Sequence, residues 1–278
     1  MPGMSEVRHE AALMKGVPVG PADIRAGGSE EVWRETGLAS AYATRFDTSA
    51  ARVFGYPFVL EALAVPTPPR TVVDFGCGPG TAAALAADQW DCHVYAVDSS
   101  HAMLELGRQT HRAPSIEFRH VAPGALEFLP DASVDAVMCT LVMATIQDVD
   151  MMVRVIAEAH RVLAPGGRFA LLEGHPDGVG VEYSMKRPVP GRDPVLPGDP
   201  WPVQLKTTAG PWLDVTDYYW DLPTYLRILE DAGFQDLGVV EPMLESAKER
   251  ADPDDLAAAS WDTERTLAPY VVVSGCRR

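Results

Sequence analysis

An α/β fold with a parallel sheet covered by helices on both faces is what this sequence predicts, on three observations. From Thr71 onward, apolar runs rich in β-branched residues alternate with segments of helical pattern. Those runs are continuous rather than alternating, as expected of strands buried on both sides. The first of them breaks into a glycine-rich turn that opens directly on an alanine-rich helix. In open parallel sheets, ligands bind at the carboxyl ends of the strands beside such turns.

Taken in order, residues 1–28 read as a flexible N-terminal arm that ends in Pro18-Val19-Gly20-Pro21 and Gly27-Gly28. Ser29 then caps a helix with acids in its first turn and Gly37 at its stop. After Tyr42 to Asp47 comes an apolar helix to about Ala64, closed by Pro66, Pro68 and Pro69. The first strand is Thr71 to Phe75, followed by Gly76, Gly78 and Gly80 and a helix over Ala82 to Ala87. His93 to Asp98 is the second strand. Ser99 and Ser100 start a helix to about His111, with Met103, Leu104 and Leu106 available for packing. Ile116 to Val121 and Val134 to Thr140 are the third and fourth strands, and Asp148 to Leu163 is an amphipathic helix. Pro165-Gly166-Gly167 turns the chain into a fifth strand, Arg168 to Glu173.

From His175 to about Tyr219 the chain is proline-rich and shows no clear period, yet it carries Tyr183, Trp201, Trp212, Tyr218 and Tyr219. Large aromatic residues are scarce in disordered segments, so the stretch reads as an ordered lid. Its aromatics suit either a small satellite core or a cage for an acceptor. The pattern resumes with a helix over Leu222 to Ala232, closed by Gly233, and two strands near Leu237–Glu241 and Tyr270–Cys276.

With 278 residues the chain can bury a full core. Its net charge of −16, without a Lys/Arg run, argues against nucleic acid as partner. No apolar segment is long enough for a membrane span or a signal core, so no membrane association is expected. Cys77, Cys92, Cys139 and Cys276 are far apart and form no metal or disulfide framework. Free thiols in a reducing cytoplasm are the expectation.

Function is most legible at the first turn. Asp74 ends strand one inside Asp74-Phe75-Gly76-Cys77-Gly78-Pro79-Gly80, and Asp98 ends strand two. Adjacent strands would bring both carboxylates to one rim, with Asp98 placed to hold a ribose diol. A nicotinamide site uses G-x-G-x-x-G below a pyrophosphate. Here the spacing is G-x-G-x-G, and Asp74 would repel a pyrophosphate but favour an ammonium or sulfonium. The cofactor indicated is S-adenosylmethionine.

On these residues, together with VYAVDSS (94–100), LPDASVDAVMCTLVMATIQD (129–148), RVLAPGGRFALLE (161–173) and LPTYLRILEDAGF (222–234), the chain resembles a class I S-adenosylmethionine-dependent methyltransferase of the small-molecule type. The resemblance implies a Rossmann-like, seven-stranded, mostly parallel sheet with its last strand antiparallel and a lid inserted after strand five. It implies one domain over residues 29–278, with N-terminal helices over 29–65 and an acceptor-side lid over 175–220. Asp74, Gly76, Gly78 and Gly80 would hold the methionine end of the cofactor, and Asp98 the ribose. Ser99 and Met103 would line the adenine, Thr140 and Leu141 the sulfonium, and Tyr42 and Arg45 would close the site. Two departures stand out. Val121 to Ala125 lacks the acid of a Gly-Asp-Ala motif, and Ala144 and Thr145 stand where many members have a His.

The expected reaction is methyl transfer to an oxygen or nitrogen of a small molecule, in natural-product biosynthesis. His175, beside Glu173 on the rim after strand five, is the candidate base, and a turn histidine bonded to its own backbone is the competing reading. Carbon methylation, a non-methylating use of the cofactor and a nicotinamide oxidoreductase are the alternatives. A homodimer is held open.

Overall fold

The computed structural model describes residues 48–208 and 212–278. The expected arm, the Ser29 helix, Tyr42 and Arg45 lie outside the described residues.

Two helices, α1 (Ser49–Phe54) and α2 (Tyr56–Leu63), lead into the sheet. Gly55 separates them because a Cβ there would come within 2.6 Å of Leu172 Cδ2 and 2.8 Å of the Ala51 carbonyl. Then follow β1 (Thr71–Phe75), α3 (Thr81–Trp90), β2 (His93–Asp98), α4 (His101–Thr110), β3 (Ile116–His120), β4 (Val134–Thr140), α5 (Val149–Val162) and β5 (Leu163–Gly174). The caps are those the sequence offers. The Ser100 hydroxyl accepts from the Met103 N–H at the start of α4, and the Asp148 carboxylate from Asp150 at the start of α5.

Strand order in the main sheet is β3-β2-β1-β4-β5-β10-β9, where β9 is Gln235–Val240 and β10 is Tyr270–Cys276. β10 runs antiparallel to both neighbours, whereas the pairs among β1 to β5 are parallel. Strand alternation divides the core in two. Val72, Ala96, Met138 and Leu172 face α1, α2 and α3, while Val73, Val97, Val137 and Leu171 face α5 and α6 (Leu222–Asp231). The sheet is thus buried on both sides, as its continuous apolar runs require.

Two expectations about extent are corrected. β5 begins at Leu163 rather than Arg168, because Leu163 pairs with Val134 and Arg168 with Ala136, so Ala164 to Gly167 bulge out of a continuous strand. The lid is more regular than the sequence reading allowed. It contains a three-stranded antiparallel sheet of β6 (Lys186–Pro188), β7 (Pro200–Lys206) and β8 (Trp212–Tyr218). Two short helices, α7 (Leu244–Ala247) and α8 (Pro253–Leu256), fill the connection from β9 to β10.

Candidate active site

At the point where the strand order reverses between β2, β1 and β4, a cavity of about 250 Å³ opens at the carboxyl ends of the strands. One wall comes from the first turn, with Gly76, Cys77 and Gly78, and from Asp98, Ser99 and Met103 after β2. A second is the stretch from Thr140 to Ile146. The third is the lid sheet, which contributes Lys186, Trp201, Leu205, Val215 and Asp217.

The first turn is shaped by close packing on one side and open space on the other. Gly76 has φ +79°, and a Cβ on it would lie 2.5 Å from Val142 Cγ2. Gly78 has φ +52°, and a Cβ there would meet nothing within 4 Å. Its bare backbone faces the cavity, where a ligand can approach closely. Asp98 ties this turn to the next. Its Oδ2 accepts the Gly78 N–H at 2.8 Å and its Oδ1 accepts the Ser100 N–H at 2.7 Å. Burial raises its pKa, opposed by these backbone donors, by the Ser99 N–H and by His120. Each oxygen keeps acceptor capacity for a further hydroxyl.

Asp74 and Gly80 do not line the cavity. Asp74 shares the alternation of Val72 and points beneath the turn toward the start of α3. It is fully buried, and neither carboxylate oxygen has a hydrogen-bond partner among the described residues. Burial pushes its pKa up to about 7, even though the nearby Ala83 N–H favours the ionised form and Asp98 opposes it. Such a group favours any cation bound at the turn above it, through the field rather than by contact. Gly80, at φ +85°, is a packing position whose Cβ would meet the Phe118 ring at 2.7 Å.

The two residues expected as catalytic are His175 and Glu173. His175 does not line the cavity. Its Nδ1 accepts the Asp177 N–H at 3.1 Å, and its Nε2 lies 3.0 Å from Glu241 Oε1. That is the turn histidine of the competing reading, with both ring nitrogens engaged. Glu173 reaches the cavity wall but works as a clamp. Its Oε1 accepts the Val142 and Met143 N–H groups at 2.9 and 2.7 Å, and its Oε2 accepts that of Ala144 at 3.3 Å. Burial pushes its pKa up to about 8, with the three N–H donors pulling it down and Asp217 pushing it up. The clamp secures a strained joint, because Leu141 takes φ +59° just before it. Thr140 and Leu141 both line the cavity.

Lys186 and Asp217 are the residues that sequence reasoning missed. A signal was present. In β7, Val203 and Leu205 alternate with Gln204 and Lys206, and in β8, Leu213 and Val215 alternate with Asp214 and Thr216. That is the period of a sheet with one apolar face. Lys186 Nζ lies 4.2 Å from the Trp201 ring centroid, and a Cβ on Gly174 would be 3.1 Å from it. Burial lowers its pKa to about 8, with Asp217 and Glu173 pulling it back up. Burial raises Asp217 to about 6 against the pull of Lys186. The Trp201 indole N–H is buried without a hydrogen-bond partner among the described residues.

Residues 72–167 match the family described as methyltransferase domain. Over 213 residues the chain is 34% identical to the N-demethylindolmycin N-methyltransferase of Streptomyces griseus, an alignment spanning 74% of this chain and 89% of that protein. The chain belongs to the class I S-adenosylmethionine-dependent methyltransferases. This methyltransferase is also 31% identical over 222 residues to the trans-aconitate 2-methyltransferase of Azoarcus sp. (strain BH72), covering 72% of this chain and 79% of the relative. Among solved structures, an S-adenosylmethionine-dependent methyltransferase from Mesorhizobium loti shares the fold. Its TM-score is 0.54 at 22% identity, with 74% of this chain and 90% of that one covered. The cofactor of the present chain is S-adenosylmethionine, as its first turn predicts. No helix among the described residues is long and apolar enough to cross a membrane.

Proposed function

We propose that this methyltransferase carries the methyl group to a nitrogen of a small, largely apolar molecule in natural-product biosynthesis. The cofactor would lie along the first turn and the acceptor beneath the lid sheet. The observation that carries the reading is one cavity whose lining includes both Gly78 and Asp98 from the first two turns and Trp201 and Asp217 from the lid sheet. The likeness to an N-methyltransferase over most of both chains supports nitrogen. Apolar walls at Val142, Leu205 and Val215 support a small apolar acceptor.

S-adenosylmethionine supplies a methyl on a sulfonium, an electrophile that needs only an aligned nucleophile. The chain's residues do the aligning. In this reading Asp98 holds the ribose hydroxyls with its spare lone pairs, and Ser99 and Met103 flank the adenine. Gly76 and Gly78 let the methionine end close on the backbone, and the buried Asp74 charge favours its cationic groups from below. Thr140 and Leu141, followed directly by the turn that Glu173 clamps, border the reacting carbon. The lid over residues 175–220 covers the acceptor and excludes water. The unpaired cysteines support a reducing, cytoplasmic setting.

The test is methyl transfer from S-adenosylmethionine to N-demethylindolmycin and a panel of amines, phenols and carbon acids, with the product site located by NMR. Transfer to nitrogen is the expected result. A methyl found on carbon or oxygen, or a protein whose melting temperature S-adenosylhomocysteine does not raise, overturns the reading.

A further inference from the structure

The lid sheet has two unlike faces, and its register shows which residue belongs to which. Lys186 pairs with Leu205, Trp201 with Asp217 and Val203 with Val215. Cross-strand partners project to the same side, so Lys186, Trp201, Val203, Leu205, Val215 and Asp217 share one face. All of these except Val203 line the cavity. The opposite face carries its own closed polar chain. Arg187 Nε donates to Gln204 at 2.7 Å, Gln204 Nε2 donates to Asp214 at 2.6 Å, and Arg187 stacks over Trp212 at 4.4 Å.

On that outer face the polar groups satisfy one another at the surface. On the inner face an otherwise apolar wall carries one cation and one anion, each held there against the cost of burial. Their surroundings explain which ligand they suit. Lys186 sits over the Trp201 ring with Glu173 and Asp217 in its field, and Tyr183 5.8 Å away. Glu173 is spent on three backbone donors, so of the two acids in the field of Lys186, Asp217 is the one left to face the cavity. An acceptor bearing several carboxylates would meet two acids and one lysine, whereas a plain cation would meet the lysine charge.

We propose that the lid sheet selects acceptors that present two groups a few bonds apart on an apolar body: an amine N–H received by Asp217, and a carbonyl or carboxylate oxygen received by Lys186. This deepens, and rests on, the nitrogen-directed reading above. The pair acts as a positioning device that sets which nitrogen faces the methyl group.

The test uses protein saturated with S-adenosylhomocysteine and calorimetric titration with three probes of one phenyl body. Phenylalaninamide carries both groups, phenethylamine only the amine, and 3-phenylpropanamide only the carbonyl. The expected result is that phenylalaninamide binds at least about tenfold more tightly than either single-ended probe. Asp217→Asn removes the advantage of the amine, and Lys186→Met removes that of the carbonyl, with S-adenosylhomocysteine affinity unchanged in both. A wild-type protein that binds phenylalaninamide no more tightly than the other two overturns the proposal without needing a variant. So do substitutions that leave all three affinities unmoved. Failure of the wild type to bind S-adenosylhomocysteine would instead strike the reading on which the proposal rests.

Discussion

Asp98 and Gly78, on consecutive turns of the sheet rim, are joined by a 2.8 Å hydrogen bond from the Gly78 N–H to Asp98 Oδ2. The acid proposed to hold the ribose is therefore also a strut of the glycine turn, and Ser100 hangs from its other oxygen. Asp98→Ala removes both bonds. Hydrogen bonds to a charged group contribute about 1.5–3 kcal/mol, so the variant should melt several degrees lower. It should also bind S-adenosylhomocysteine at least about tenfold more weakly by calorimetry. Unchanged affinity would contradict the ribose assignment.

Asp74→Asn separates stability from binding. The wild-type carboxyl titrates in the folded protein at about 7, above its ordinary 3.8. Its stabilising contribution is fully present below about 3.8 and is lost as pH rises through about 7. Between those values, urea midpoints of the wild type should fall with rising pH, and those of the Asn variant should fall less. At pH 8 the ligand-free variant should be at least as stable as the wild type while binding S-adenosylhomocysteine more weakly. Equal pH slopes in the two proteins would count against a buried, unpaired charge.

Acceptor binding should have a pH window. Asp217 receives an amine as carboxylate, a form lost as pH falls through about 6, and Lys186 donates as ammonium, a form lost as pH rises through about 8. Glu173, Tyr183 and Tyr225 are the other ionisable groups near the pair. Phenylalaninamide affinity should therefore peak between about 6 and 8. Asp217→Asn should flatten the acid limb, and Lys186→Met the alkaline one.

Glu173→Ala should act on the joint after β4. It leaves three N–H groups without their acceptor, at a cost of about 2–4 kcal/mol by urea unfolding. With the turn that follows Leu141 no longer held, kcat should fall more than S-adenosylhomocysteine affinity does.

His175→Ala, by contrast, should leave methyl transfer within about twofold of wild type, because the ring faces Asp177 and Glu241 rather than the cavity. A loss of a hundredfold in kcat would restore it as a base.

The donor half of the molecule was legible because its chemistry is local. β1, β2, β4 and β10 stand at the residues the apolar runs mark, and the acid–glycine spacing of one turn indicates the cofactor. The acceptor half was not. Lys186, Trp201 and Asp217 come from three strands, and only the register of β6 to β8 puts them on one face. The prolines at 188, 200 and 202 masked the alternation, since proline weakens any strand assignment. For Glu173 and His175, a sequence does not show that backbone N–H groups would claim the first and a turn the second.

The lid sheet leaves the body after Gly174 and rejoins it before Leu222, so the cavity wall proposed to face the acceptor is one uninterrupted excursion of the chain. Everything assigned to the donor lies outside it. If the proposed division holds, exchanging this cassette between relatives, or rewriting its inner face, should change what is methylated while the machinery that carries the methyl group stays in place.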